Sequence, residues 1–372
     1  MPLDDRMPGE PSIPAPVILG VAPIRESAVH QASAHAHLPR SMLDSAGMAV
    51  NQAVSLWQES MGIFYGVRLL NNAAERFHFR AEAFHMGEIV LTSYRCVAQS
   101  FDRSRSRIGR DGLDHVTLQF CVSGSHGRRD GGLGEKAEPG DLIIADLAQA
   151  QATGTSDFDS LNLTVPRRLF APLLKAPDEQ NMRVISGASP LVALLRNHLQ
   201  GLFNAAGAMN GKQAEAVMGP TLELAAAAIN GAVAQESVSS VEFALAGQIR
   251  RFVDERIADP DMTAERVAGL FGISTRKLYY LFEPHGGFST YVVEARLRRC
   301  RDELVNPAHR RESIANIAGR YGFIHRKSFV RAFRRTYEIS PREMRALAEE
   351  GRRLPAEPLK TDDVWRWIRE LR

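Results

Sequence analysis

The chain has 372 residues, 44% of them hydrophobic, and a formal net charge of +3 at pH 7. Two or three domains with full-sized cores fit in that length. No apolar run approaches the ~20 residues a membrane helix needs, which argues against a helical membrane protein.

The start, Met1-Pro-Leu-Asp-Asp-Arg6, lacks the charged-then-apolar order of a secretory signal. Cys96, Cys121 and Cys300 are few, far apart and odd in number. They predict a reducing, cytoplasmic location without a disulfide frame, each cysteine being a small buried apolar residue. Residues 1–40 carry seven prolines with little periodicity and read as a disordered tail. His30, His35 and His37 within it have no cysteine or carboxylate partners, so no metal is assigned.

Val50, Val54 and Trp57 predict a helix over Met48–Met61. The period then changes. Phe77–Phe79, Gly87–Arg95, His115–Val122, Gly140–Asp146 and Phe158–Val165 alternate or run apolar over strand lengths, separated by Gly- and Asp-rich loops such as Gly124–Gly134 and the turn Pro139-Gly-Asp141. Strands this short and dense predict an antiparallel barrel or sandwich, and small barrels can enclose one small ligand. Tyr94, Arg95, His115 and Gln119 are polar groups on those strands; each faces either a pocket or solvent.

Two helices follow, over 190–205 and 213–233. The first is expected to bury Leu191, Leu194, Leu195, Leu199 and Leu202, the second Val217, Leu222, Leu224 and Ile229, with Ala225–Ala228 permitting close helix approach. Gln235–Ser240 reads as a linker.

From Ser239 the pattern is helical throughout. Ser239 to Glu242 forms a capping box ahead of a helix with Leu245, Ile249, Phe252, Val253 and Ile257 inward. Thr263 caps a helix buried through Val267, Ala268 and Phe271; Gly272 allows a turn; Ser274 caps a second helix burying Leu278, Leu281 and Phe282. About fifty residues later the same pattern returns. Ile314, Ile317 and Ala318 share one face, Gly322 turns the chain, and Phe329 and Phe333 anchor a strongly basic helix. Between the two units, Val292, Val293, Arg296, Leu297, Cys300 and Leu304 recur at helical spacing and predict a stiff connector. Successive major grooves on one DNA face lie ~34 Å apart, so a stiff connector costs less entropy on docking than a flexible one. Ser340-Pro-Arg-Glu343 opens a last helix containing Met344 and Leu347, seven helices in all over 239–348. A helix that buries one stripe and offers cations along the other suits the major groove.

Charge coincides with this duplication. Residues 241–345 hold 20 Lys/Arg and 13 Asp/Glu, a net of +7, so the remainder sums to −4. Arginines on helices are often only solvated surface; here they fall on a repeated reading motif. The predicted DNA contacts are Ser274, Thr275, Arg276, Lys277 and Tyr280 in the first unit, with Tyr279 either packed or exposed. In the second they are His325, Arg326, Lys327, Arg331 and Arg334, Lys327 and Arg334 being the expected phosphate contacts, with one of Arg334 and Arg335 open to being only solvated.

The spacing of Ala268, Gly272 and Ser274, with Tyr321-Gly-Phe323, Ser328-Phe329, Phe333 and Ser340-Pro341, resembles the AraC/XylS family of bacterial transcription regulators. The resemblance covers the last third of the chain. It departs at Glu338, where the family usually has glycine, and at Ile324, where a small polar cap is common. The strand region resembles the cupin-like sensing domain that often precedes the DNA-binding half in this family; His78, His85, His115 and His126 lack the metal-ligand spacing of metal-using cupins.

The resemblance implies an α+β multidomain protein. A cupin-like antiparallel β-barrel with flanking helices (41–235) senses an effector and dimerises, one face of helices 190–233 turning inward and another exchanged between subunits. An all-α, seven-helix double helix-turn-helix domain (239–348) reads double-stranded DNA. The tail 349–372 holds one short helix over Trp365–Leu371. The expected protein is a non-enzymatic, sequence-specific transcription regulator. Its expected partners are a small-molecule effector, a second copy of itself and, if it activates, RNA polymerase, with no cofactor and no metal. Two other readings remain: an alkyl-transfer repair protein using Cys121, with His126 and Arg128 nearby in sequence, and an effector-independent architectural DNA-binding protein.

Overall fold

The structure, a computed structural model, describes residues 37–128, 136–236, 240–353 and 363–371. The expected tail therefore lies outside the described residues up to position 36, as do the Ser239 cap and most of the Gly124–Gly134 loop. Residues 37–40 belong to the fold: His37 bridges Asn210, Leu38 N–H donates to the Met209 carbonyl at 3.1 Å, and β1 starts at Arg40.

The N-terminal half is built of eleven described strands in two antiparallel sheets. The strands are β1 Arg40–Asp44, β2 Gly66–Leu69, β3 Phe79–His85, β4 Val90–Cys96, β5 Gln99–Arg103, β6 Val116–Ser123, β7 His126–Arg128, β8 Leu142–Asp146, β9 Gln151–Thr155, β10 Phe158–Val165 and β11 Arg183–Ile185. Seven form one sheet in the order β1-β3-β4-β10-β6-β8-β11, and four form the other in the order β2-β5-β9-β7. The sheets do not join into a closed barrel, a correction to the expected architecture.

Alternation explains how the larger sheet is covered on both sides. On β10, Leu161, Leu163 and Val165 point one way and Ser160, Asn162 and Thr164 the other; on β6, Leu118 and Phe120 oppose Thr117 and Gln119. The apolar set packs against α4 (Pro190–Ala206) and α5 (Gly211–Glu236) in one core. The polar set faces the space between the sheets. Within α4, Val192, Leu195, Leu199 and Leu202 are buried, whereas Leu191 and Leu194 are exposed, against the expectation that both face the core. A second core surrounds α1 (Val50–Met61) at the edge of the sandwich. Two short helices complete this half: α2 (Arg105–Asp111) and α3 (Arg167–Phe170).

Among the described residues seven α-helices form the C-terminal half: α6 Ser240–Glu255, α7 Ala264–Leu270, α8 Thr275–Leu281, α9 Phe288–Val305, α10 Ile314–Arg320, α11 Arg326–Tyr337 and α12 Pro341–Arg353. Two cores hold them, one around Val267, Leu278 and Phe282, the other around Ile317, Phe329 and Phe333. The eighteen-residue α9 contributes to both and is about 27 Å long. Ser340 and Glu343 cap α12 reciprocally, at 2.7 and 3.2 Å.

The final helix, α13 (Asp363–Glu370), does not stay with this half. It returns to the sandwich and adds Val364, Trp365, Trp367, Ile368 and Leu371 to the core around α1.

Candidate nucleic-acid interface and effector cavity

Both helix-turn-helix units are built by the same local rules. Thr263 Oγ1 accepts from the Arg266 amide to start α7, and Ser274 Oγ accepts from the Lys277 amide to start α8. Ser313 Oγ plays this part for α10, accepting from the Asn316 amide at 3.0 Å. The turns need left-handed backbone, supplied by Gly272 (φ +64°) and Gly322 (φ +78°). His325 occupies the cap position of α11 without a side-chain capping bond, and Ile324 before it is 86% exposed.

The predicted contacts are displayed unequally. Ser274, Thr275 and Arg276 are exposed at the start of α8, and Tyr279 and Tyr280 are exposed one turn on. Lys277 is half-buried, ion-paired to Glu242 of α6 and 5.2 Å from the centre of the Tyr280 ring. His325, Arg326, Lys327, Arg331, Arg334 and Arg335 are all exposed on α11. Arg276, Arg326, Lys327 and Arg331 have no ion pair among the described residues, and Arg334 has only a long one to Glu343, 3.8 Å. Other arginines of the same half are committed: Arg266 to Asp259, Arg298 to Asp178, Arg301 to Asp302, Arg320 to Glu303 and Glu312. Arg251, Arg310, Arg311 and Arg342 are also exposed and free of ion pairs among the described residues, so what distinguishes the reading helices is the row of exposed cations along α11 with Arg276 at the start of α8.

The space between the sheets is the second candidate site. Its walls combine aromatic rings (Trp57, Tyr94, Phe101) with a polar floor (Gln119, Ser160, Asn162), and no lining residue is charged. Burial pushes the Tyr94 hydroxyl up and the His126 imidazole down, the latter to about 4, so His126 is neutral at pH 7. Neither ring nitrogen of His126 has a hydrogen-bond partner among the described residues. Of the four expected pocket residues, Tyr94 and Gln119 line the cavity. His115 is buried behind it, Nε2 against the Ile368 carbonyl at 2.8 Å. Arg95 does not belong there. It alternates with Tyr94 on β4, points outward and pairs with Asp159 at 2.5 Å. Ser160, Asn162 and Thr164 were missed, although their two-residue spacing within Phe158–Val165 carried the signal.

Comparison with known proteins agrees with this division. Residues 62–230 match the model of an AraC-binding-like domain, and residues 267–347 match that of a helix-turn-helix domain. The transcriptional activator NphR of Rhodococcus sp. is 23% identical over 273 residues, 72% of this chain and 81% of NphR. The chain belongs to the AraC/XylS family of transcription regulators. A second relative, XylDLEGF operon transcriptional activator 2 of Pseudomonas putida, is 30% identical over 102 residues, 27% of this chain and 64% of that protein. The solved structure of the AraC-like transcriptional activator CuxR, 21% identical, covers 70% of this chain and 94% of that one with a TM-score of 0.49.

In this AraC/XylS chain the two halves are packed together. Gly109 of α2 lies so close to α12 that a Cβ there would come within 2.5 Å of Met344 Cε. Asp178 joins Arg167 of the sandwich half to Arg298 of α9, the latter at 3.1 Å. Burial alone would raise the Asp178 carboxyl; the guanidinium groups of Arg298 and Arg167 outweigh it and hold the carboxyl below its usual range. Among the described residues no helix is long and apolar enough to cross a membrane.

Two other chemistries find little support. The Cys121 thiol is buried and pushed up to about 11, with the carboxylates of Glu138, Asp141 and Asp159 adding to the effect of burial. It donates toward the Ser123 and Gly124 carbonyls, and among the described residues its surroundings hold the thiol protonated rather than activate it. Glu303, His309 and Glu312 cluster as metal ligands would, but Arg320 already pairs with both carboxylates.

Proposed function

We propose that this AraC/XylS-type regulator reads a specific duplex sequence with α8 and α11 and is controlled by an uncharged small molecule held between its two β-sheets. The observation that carries the reading half is the row of exposed cations along α11, from Arg326 and Lys327 to Arg331, Arg334 and Arg335, with Arg276 exposed at the start of α8 and none of them in a close ion pair among the described residues. Arg276, Arg326 and Arg331 are placed to reach guanine edges, and Lys327 and Arg334 to neutralise phosphates. Lys277 is available only when it leaves Glu242.

The sensing half rests on the buried polar floor of the sandwich and the unpartnered His126. A cavity lined with hydroxyls, amides and rings, and with no cation, disfavours a carboxylate, whose burial without a partner is costly. A ligand must prefer one arrangement of the halves to act at all. The apolar side chains left outward on α4, Leu191 and Leu194 (54% exposed), suit a two-fold contact between copies. A cytoplasmic regulator of this type, if an activator, would engage RNA polymerase.

Selection of bound duplexes from a random pool, at moderate and at high salt, tests the reading. A recovered consensus with two half-sites about one helical repeat apart is expected; enrichment of no sequence would overturn it.

A further inference from the structure

The cavity between the sheets is closed by the chain's own last helix. α13 lays Trp365 flat on Tyr94, with ring centres 5.6 Å apart and planes 3° from parallel, and edge-on to Trp57 at 6.4 Å. Phe64 closes the other side at 5.7 Å. The backbone is held as well, through His115 Nε2 and the Ile368 carbonyl. Trp365 and Ile368 are themselves part of the cavity lining.

Two features mark this as a ligand-like seat. The Trp365 indole N–H is buried without a hydrogen-bond partner among the described residues, as are both ring nitrogens of His126 in the same cavity. A side chain placed only for packing normally finds a partner for its N–H. The free space left beside it is about 90 Å³. A void of ~150 Å³ is what takes up a benzene ring, and drug-sized ligands need ~300–1,000 Å³. Nothing of effector size fits while Trp365 is in place.

We propose that α13 is an internal, displaceable occupant of the effector site, and that the effector is a flat, uncharged aromatic molecule that takes the place of the Trp365 indole on Tyr94. This rests on the reading of the cavity as the sensing site. Docking α13 with the following Leu371 buries five apolar side chains and orders eight helical residues, opposing terms of similar size, so its release is not prohibitive. The helix is tied to the end of α12 by residues 354–362, so its release removes one of the connections that hold the DNA-reading half against the sandwich.

The full chain and its Trp365→Ala variant are titrated with indole by calorimetry, and hydrogen exchange of residues 363–371 in the unsubstituted chain is followed with and without saturating indole. Trp365→Ala is expected to bind indole at least tenfold more tightly than the unsubstituted chain. In the latter, indole is expected to speed exchange in 363–371 while protecting β4 and β10. Protection of β4 and β10 with unchanged exchange in 363–371 would overturn the displacement and leave the cavity as a sensing site. Absence of indole binding to a folded Trp365→Ala chain, with β4 and β10 unprotected, would overturn both. Should Trp365→Ala fail to fold, the exchange measurement decides alone.

Discussion

Arg103 and Asp111 form a two-point ion pair, 2.7 and 2.9 Å, between the last residue of β5 and the last residue of α2. The Arg103 side chain is fully buried and also donates to the carbonyls of Leu147 and Phe64 at 2.7 and 2.9 Å. Leu147 and Phe64 line the cavity, and α2 packs against α11 and α12. One guanidinium therefore spans from the cavity between the sheets to the helix that touches the helix-turn-helix half.

Arg103→Ala leaves Asp111 without its cation, held among the described residues only by the Leu113 amide, and the buried Leu147 and Phe64 carbonyls without this donor. A loss of ~3–5 kcal/mol is expected, because removing one partner strands the other. Urea denaturation measures it; a change below ~1 kcal/mol would mean water replaces the guanidinium at little cost.

Gly109→Leu should wedge α2 away from α12, since even a Cβ meets Met344 and lies 3.2 Å from Ile339 Cδ1. The expected outcome is a larger radius of gyration by small-angle scattering with DNA affinity retained. An unchanged radius would show that the interface absorbs the side chain.

Arg326→Ala should weaken binding to the selected duplex by about 1–3 kcal/mol and unrelated duplexes less. Lys327→Ala should lower all affinities and reduce the salt slope by about one unit. Equal losses on every duplex for Arg326→Ala would reassign it to phosphate.

Glu338 ends α11 in the left-handed region, φ +63°, where a side chain is strained. Glu338→Gly should stabilise the chain by about 0.5–1 kcal/mol, the strain relieved exceeding the added freedom of the unfolded glycine. A lowered melting temperature would show that the Glu338 side chain makes a compensating interaction.

His126 sets an acid limit. Its folded value, about 4, lies below the ordinary 6.5 because burial penalises the charged ring. Between those values the unfolded chain binds a proton that the folded chain refuses. Stability therefore falls as pH drops from about 6.5 to about 4, by up to about 3 kcal/mol. His115, lowered mainly by burial, adds in the same direction. Denaturation midpoints at pH 7 and 4.5 should differ less for His126→Gln; identical differences would remove His126 from the account.

The DNA-reading half was legible because helix caps, glycine turns and apolar spacing are local signals. Thr263, Gly272, Ser274, Gly322 and the Ser340–Glu343 box each act within four residues. The sandwich was legible less completely. β2, β5, β7 and β9, the four strands of the smaller sheet, are short and polar, with sequences such as Gln99-Ser-Phe-Asp-Arg103 and Gln151-Ala-Thr-Gly-Thr155, and were not anticipated. Their polar residues are buried against a cavity, where a polar-outside rule misleads. Arg95 was misplaced by one step of the strand alternation, which the sequence leaves undetermined until one face has a neighbour. The docking of Trp365 lay beyond local reading altogether, since its partner Tyr94 is 271 residues away.

Because the polypeptide leaves the sandwich after α5 and comes back to it as α13, the DNA-reading half is a loop anchored at both ends rather than a free appendage. Excised as a fragment ending at Arg372, it would carry two tryptophans, an isoleucine and a leucine stripped of their cover, and self-association of that fragment is the natural result.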